Sequence, residues 1–209
     1  MQATRRLAVL GLSVLAVACA PGVASAKAPS CAKAGSKTLA QNKSVRVYRT
    51  GKGVDQSLFA CRRSTGRRTR LATAFDDGYV SSASFGDVRL AGQFVAWSKT
   101  ATDNSCKADC PPGYEPTTRA IGVFDAGHRK SRGIDGYPIG GALVLSKDGG
   151  VAWAAQSSSG DPFEIRASVR AGDNRLLDSG GAIDPGSLAI EITIISWTNN
   201  DEEHFARLR

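Results

Sequence analysis

Stretches of alternating apolar and polar residues recur along the chain, and each of them ends in a large aromatic side chain before the sequence turns polar. The aromatic residues are Tyr48, Trp97, Trp153 and Trp197, spaced 49, 56 and 44 residues apart. Alternation over a few residues indicates half-buried β-strands. Its return at this interval indicates a repeat architecture.

Further strand-like segments surround these aromatic residues. Apolar runs at 88–90, 143–145 and 188–190 precede the three tryptophans, and hairpins that turn at Gly66, Gly127 and Gly172 follow Tyr48, Trp97 and Trp153. Each unit is therefore predicted to form four short antiparallel strands over about 45 residues. The last unit stops 12 residues after Trp197, before a fourth strand. Residues 36–42 are candidates both for the first strand of the first unit and for this missing strand, which would close a ring.

The pattern resembles secreted TolB-like β-propeller repeats, in which an apolar strand, a strand ending near an aromatic residue and a hairpin turning at glycine recur in each blade. The resemblance covers residues 36–209 and concerns architecture, not a functional family. It implies an all-β, propeller-like domain of three or four four-stranded antiparallel blades, in a closed or incomplete ring. A curved β-sandwich is the alternative. The recurring aromatic residues are expected to pack between neighbouring sheets.

The N-terminal residues have the pattern of a secretory signal peptide. Arg5 and Arg6 precede an apolar run over 7–18, and small residues at 24–26 follow. We therefore predict a signal peptide over 1–26 and a single exported domain over 27–209. Lipoprotein cleavage before Cys19 is the less favoured alternative, because Leu15 lies one position too far from the cysteine. No later run is long and apolar enough to span a bilayer.

Four cysteines follow the predicted signal peptide, namely Cys31, Cys61, Cys106 and Cys110. An even number in an exported chain predicts two disulfides. Cys106 and Cys110 lie in a proline-rich insertion at 98–119, and they most simply pair with each other, which leaves Cys31 with Cys61. Three connectivities remain open. A zinc site is not favoured, because no further ligand stands at a suitable spacing.

The 209-residue chain has a formal net charge of +8, and one segment is strongly basic. Five arginines and no acid fall within 61–70, on a predicted hairpin; they are Arg62, Arg63, Arg67, Arg68 and Arg70. Arg129 and Lys130, followed by Arg132, occupy the matching turn of the next unit. Two such turns predict a basic rim that attracts an anionic polymer. A solvated edge whose charges prevent association is the competing interpretation.

Candidate catalytic residues are few, and we assign no catalytic residue, metal or cofactor. The chain has two histidines, His128 in a predicted turn and His204 at the start of a predicted strand. No Gly-x-Ser-x-Gly elbow follows the signal peptide. The adjacent acids Asp76 and Asp77 precede Gly78 and are typical of a turn.

The favoured function is a non-catalytic binding module for a protein or an anionic polymer at the cell envelope. An extracellular hydrolase or lyase, with its site on the loops of one propeller face and His204 as an acid–base group, is the alternative. A third possibility is a subunit of an envelope assembly, with a partner strand completing the last repeat. Nucleic acid is not expected as a partner of an exported chain. The richness in alanine, glycine and arginine is typical of a GC-rich bacterial genome.

Overall fold

The computed structural model describes residues 30–106, 116–139, 141–156 and 163–208. Within these ranges the regular structure is entirely β. The strands are β1 (Lys37–Gln41), β2 (Val45–Lys52), β3 (Asp55–Arg62), β4 (Arg67–Asp76), β5 (Ser81–Ala91), β6 (Phe94–Asp103), β7 (Thr117–Asp125), β8 (Lys130–Asp135), β9 (Leu143–Leu145), β10 (Val151–Gln156), β11 (Phe163–Ser168), β12 (Arg175–Gly180), β13 (Ile183–Glu191), β14 (Ile194–Asn199) and β15 (Glu202–Arg207).

The strands form blade-like antiparallel units in chain order. The first unit is β1–β4, the second β5–β8 and the third β9–β12, while the fourth has the three strands β13–β15. The first two units belong to one sheet only because Phe75 and Asp76 at the end of β4 pair with Ala83 and Ser82 of β5. The first strands of consecutive units contact one another. The all-β, propeller-like architecture predicted from the repeats is confirmed, and none of the described sheets is closed.

The core lies between blades, because alternation sends successive side chains to opposite faces of each sheet. On β6, Val95 and Trp97 pack against the first blade, whereas Ala96 between them packs against the third. Trp153 packs against the second blade and Trp197 against the third. All three indoles are at most 5% exposed. The prediction that the repeated aromatic residues fill the space between sheets is therefore confirmed for the three tryptophans.

Among the described residues no blade precedes the first one to cover Tyr48, and a disulfide-linked segment buries this ring instead. A disulfide joins Cys31 to Cys61, with the two Cα atoms 5.8 Å apart, and both cysteines pack with Tyr48. Phe59 stacks on the Tyr48 ring at 5.4 Å between centroids. The Arg46 guanidinium lies 4.8 Å from the Tyr48 ring centroid and donates to the Cys31 carbonyl at 2.6 Å. The disulfide-linked N-terminal segment thus caps the blade, and the bridge is the one that the sequence favours.

Several sequence predictions concern the ends and the insertion. Residues 37–41 form β1 and pair with β2, so they serve the first blade rather than the missing strand of the last. The insertion predicted at 98–119 is partly strand, since β6 extends to Asp103 and β7 begins at Thr117. Cys106 is disulfide-bonded, but its predicted partner Cys110 lies outside the described residues, as does the predicted signal peptide over 1–26. No helix among the described residues has the length and apolarity needed to cross a membrane.

We predict that Gly122→Ala destabilises the interface between the first two blades. A Cβ at Gly122 would lie 2.2 Å from the Trp97 ring, so the indole must shift. Overpacking of this kind costs about 1–3 kcal/mol. Urea denaturation followed by tryptophan fluorescence measures the loss. Gly133 is the matched control, because it lies directly across the strand pair from Gly122 and a Cβ there meets nothing within 4 Å. Equal stability of the two variants would contradict the close contact between Trp97 and Gly122.

Candidate functional site

The arginine-rich hairpin presents its side chains on two opposite faces. Directly opposed residues of an antiparallel pair point to the same side of the sheet, and successive residues point to opposite sides. Arg62 of β3 is opposite Arg67 of β4, whereas Cys61 is opposite Arg68 and Phe59 is opposite Arg70. Arg62 and Arg67 therefore face the second blade. Arg68 and Arg70 face the disulfide cap, so the hairpin does not gather all its arginines on one edge.

A cavity of about 130 Å³ opens where this hairpin meets the turn between β7 and β8. We call it the arginine pocket and define it by its lining: Ala60, Arg62, Thr65, Arg67, Thr69, Phe124, Ala126, Gly127, His128 and Arg129. Ala60, Phe124 and Ala126 belong to the buried layer between the first two blades. Three guanidinium groups, one imidazole and two threonine hydroxyls belong to the remaining residues, and no acid among the described residues lines the cavity. An apolar floor under a cationic rim favours binding of an anionic group.

The three arginines of the pocket differ in how much of their hydrogen-bonding capacity the protein uses. Arg62 donates to the Gly127 carbonyl at 3.3 Å and thereby links the two blades. The guanidinium groups of Arg67 and Arg129 have no hydrogen-bond or ion-pair partner within the described part of the chain. Both side chains are exposed. Planar guanidinium groups with free N–H donors are suited to bidentate binding of carboxylate, phosphate or sulfate oxygens.

Asp125 holds the turn that presents His128 and Arg129 to the pocket. Its carboxylate accepts hydrogen bonds from the Gly127 amide at 2.7 Å, the His128 amide at 3.2 Å and the His128 Nδ1 atom at 2.6 Å. Burial opposes ionisation of this carboxyl, but these hydrogen bonds outweigh it and lower the pKa of Asp125. Arg129 follows in the left-handed region at φ 58°. The turn is therefore locked by an ionised side chain directly beside the cationic rim.

The other residues of the predicted basic rim lie elsewhere. Arg63 donates to the Asn42 carbonyl at 3.1 Å, and Arg68 donates to the Ala32 carbonyl of the cap at 2.8 Å. Arg70 is exposed on the cap side of the hairpin. Lys130 lines a separate cleft between the second and third blades. Of the seven predicted binding residues, the structure brings together Arg62, Arg67 and Arg129.

Arg132, at the same turn as Lys130, has a structural role. It donates to the Ser168 hydroxyl at 2.7 Å and to the Gly149 carbonyl at 2.8 Å, and so ties the second blade to the third. Burial lowers the pKa of Arg132, and the negative charge of Asp173 opposes this shift. A guanidinium with these partners is not free to bind an external anion.

The candidate catalytic residues do not form a constellation around the pocket. His204 stacks on Trp197 at 5.8 Å between ring centroids in the fourth blade, far along the chain from His128. Asp76 accepts from the Gly78 amide, and Asp77 accepts from the amides of Tyr79, Val80 and Ser81. These backbone hydrogen bonds lower the pKa of Asp77 despite a small opposing effect of burial. The acidic pair thus forms the turn that the sequence predicts.

A second cavity, of about 410 Å³, lies between the second and third blades. The Arg119 guanidinium lies 5.3 Å from the Tyr137 ring centroid at its rim, and Glu164 and Arg166 form an ion pair at 2.6 Å. Trp153 forms part of the wall, and its buried indole Nε1 has no hydrogen-bond partner in the described ranges. Charges of both signs line this cavity, whereas the charged side chains that line the arginine pocket are all basic.

Sequence reasoning missed the residues that make the arginine pocket a cavity. Thr65, Thr69 and Phe124 have no individual signal, because they matter only once the hairpin and the next blade are brought together. The sequence places His128 in a predicted turn but does not connect it with the arginines of the hairpin. The turn glycines Gly66 and Gly127 could have indicated this site, because they place the β3–β4 and β7–β8 turns at equivalent positions of neighbouring repeats.

Comparisons with known proteins do not identify a family. No protein-family model matches this chain, and no curated protein matches it. One similar solved structure comes from a structural and mechanistic study of two prolyl endopeptidases, with a TM-score of 0.47 and 14% identity. The match covers 83% of this chain and 29% of the other, so this chain spans less than a third of that protein. A likeness at this level carries no argument about function.

We predict that Asp125→Asn lowers the free energy of unfolding at neutral pH and leaves it unchanged in acid. The pKa of Asp125 is lower in the folded protein than its unfolded value of about 3.9. The stabilisation is therefore fully present above the unfolded pKa and is lost as pH falls through the folded pKa. We expect the free energy of unfolding to fall by about 1.5–3 kcal/mol at neutral pH, as is usual for the loss of a hydrogen bond to a charged group. Urea denaturation from pH 7 down to about pH 2 measures it, across the titration range of carboxyl groups.

Asp148→Asn is the control for this measurement. Asp148 is exposed in the turn before β10 and accepts no side-chain hydrogen bond within the described residues. If Asp125→Asn lowers the free energy of unfolding by the same amount at acid and neutral pH, the ionised carboxylate does not hold the turn.

Proposed function

We propose that this protein is an exported, non-catalytic binding module that uses the arginine pocket to hold anionic groups of a polymer at the cell envelope. The proposal rests on one observation: Arg62, Arg67 and Arg129 come from two different blades and lie together above apolar side chains, and no acid among the described residues lines the pocket. Two of these guanidinium groups are free of protein partners in the described structure. A binding site of this kind needs no catalytic group.

The size of the pocket favours one charged group of a larger ligand over a complete small molecule. Pockets that enclose drug-sized ligands have volumes of about 300–1,000 Å³, and the arginine pocket has about 130 Å³. A sulfate, phosphate or carboxylate attached to a polymer chain would enter the pocket, and the chain itself would run outside it. The exposed positions of Arg67 and Arg129 at the rim allow such an approach.

Location at the envelope is supported by the chemistry of the cysteines. The bridge between Cys31 and Cys61 is consistent with an extracytoplasmic protein, since disulfides persist in oxidising compartments. The predicted signal peptide over 1–26 would direct export, and the charge of the chain suits an anionic surface. Long anionic polymers at that surface carry many identical charged groups. Any one of these groups can enter a small cationic pocket, so the pocket needs to bind only one group at a time.

We predict that Arg67→Ala weakens binding to immobilised dextran sulfate about tenfold or more, because hydrogen bonds to charged groups are each worth about 1.5–3 kcal/mol. The dependence of binding on salt concentration should become less steep, since fewer counterions are exchanged on binding. Binding isotherms at several salt concentrations measure both effects. Beads that carry polygalacturonate in place of dextran sulfate distinguish a carboxylate ligand from a sulfate ligand, and neutral dextran gives the background.

Arg70→Ala is the matched control for Arg67→Ala. It removes the same charge from the same strand, three residues away, but on the face that points to the disulfide cap. General attraction of a basic protein to a polyanion would be weakened equally by the two substitutions, and equal losses would therefore exclude the arginine pocket as the site. Absence of binding by the unmodified protein to either polymer would exclude the proposed function itself.

A further inference from the structure

The fourth blade ends with an unpaired edge. It has three strands, and within the part of the chain that the structure describes β15 is hydrogen-bonded to β14 alone. Phe205 in the middle of β15 is 62% exposed, and Ile194 on the neighbouring strand is 43% exposed. Both residues lie on the face turned away from the third blade. An edge strand with an exposed aromatic residue is a template for pairing with another strand.

The direction of the backbone groups on β15 identifies which residues would pair. The Leu208 amide donates to the Thr193 carbonyl at 2.8 Å, so this N–H points toward β14. Successive residues of a strand direct their backbone groups to opposite sides. The N–H and C=O groups of Glu203, Phe205 and Arg207 therefore point toward the free edge. Their side chains also share one face of the sheet, because they alternate with His204 and Ala206.

We propose that β15 pairs antiparallel with β15 of a second copy of this chain, about a two-fold axis at Phe205. Such an axis is perpendicular to the sheet, so the same face of both copies lies on the same side of the joined sheet. It places Phe205 opposite Phe205 of the second copy as a hydrogen-bonded pair. It also places Glu203 opposite Arg207 of the second copy, twice by symmetry. Opposed aromatic residues and opposed unlike charges are both stabilising cross-strand pairs.

The charges select this register over the neighbouring ones. A two-fold axis at Glu203 or at Arg207 would set like charges directly opposite each other, which is destabilising. An axis at His204 would set Glu203 opposite Phe205 and would leave Arg207 opposite Asp201, which lies in the turn before β15 at φ 61°. Of these four positions, only the axis at Phe205 keeps all paired residues within the strand and places Glu203 and Arg207 opposite residues of unlike charge.

Self-complementarity is the reason to assign a second copy rather than an unrelated strand. An edge that only needed protection from association would be served by charges of one sign. The sequence Glu203-His204-Phe205-Ala206-Arg207 instead places opposite signs at equal distances from a central aromatic residue. The dimer does not rest on the arginine pocket, which lies between the first two blades.

The test exchanges charges between the two chains. Purified Glu203→Arg and Arg207→Glu proteins each set two like-charged pairs across the axis, and we expect their dimer dissociation constants to rise at least about tenfold. An equimolar mixture of the two variants forms a heterodimer in which both ion pairs are restored, one with the original polarity and one with the polarity reversed. Sedimentation equilibrium over a range of protein concentrations measures the dissociation constants of the unmodified protein, of each variant and of the mixture.

The double variant with both substitutions should dimerise like the unmodified protein, which guards against loss of folding in a single variant. Circular dichroism and thermal unfolding of each protein verify that the blade is intact. A protein that remains monomeric at all accessible concentrations overturns the proposal, and this is also the result expected if another protein's strand occupies the edge. A dimer that both single variants form as well as the unmodified protein overturns it too.

Discussion

Packing between consecutive blades is the interaction on which the rest of this structure depends. No blade can bury both faces by itself, and each tryptophan fills the space against the blade before it. The stability of such a stack comes from contacts between neighbouring blades, so the first and last described blades each have one face that no neighbouring blade covers. The first blade solves the problem with the cap formed by Cys31, Cys61 and Arg46 over Tyr48. The last blade leaves its outer face and the edge of β15 exposed.

The sequence predicts the strands and their layers well because both follow from alternation with a period of two. A residue such as Trp97 needs only its position in the repeat to be assigned to the core, and the structure agrees. The faces of the arginines are harder to predict. Arg62 and Arg67 share a face only because the turn between them places them opposite each other, and the pairing of β3 with β4 is shifted at Leu58 and Phe59. An error of one residue in that register exchanges the two faces.

The assignment of residues 36–42 shows how a local interaction decided between two global possibilities. Both uses of the segment satisfy the alternation pattern. Asn42 favours the local one, because its Oδ1 accepts from the amides of Ser44 at 2.8 Å and Val45 at 2.9 Å, and so closes the turn between β1 and β2. Its side-chain amide also donates to the Gly92 carbonyl of the next blade at 2.7 Å. A turn of this length costs little loop entropy, whereas pairing with the last blade would have to close almost the whole chain.

The arginine pocket and the β15 edge occupy different blades, and this separation has a functional consequence. The pocket needs the first and second blades, and the edge needs only the fourth. A pair of chains joined through β15 therefore keeps both pockets open. If the proposed function and the proposed dimer both hold, one shallow pocket would bind one charged group weakly, and the second pocket, at a fixed distance, would meet another group of the same polymer at a high effective concentration. Avidity of this kind requires a repeating ligand, which an anionic polymer is and a small anion is not.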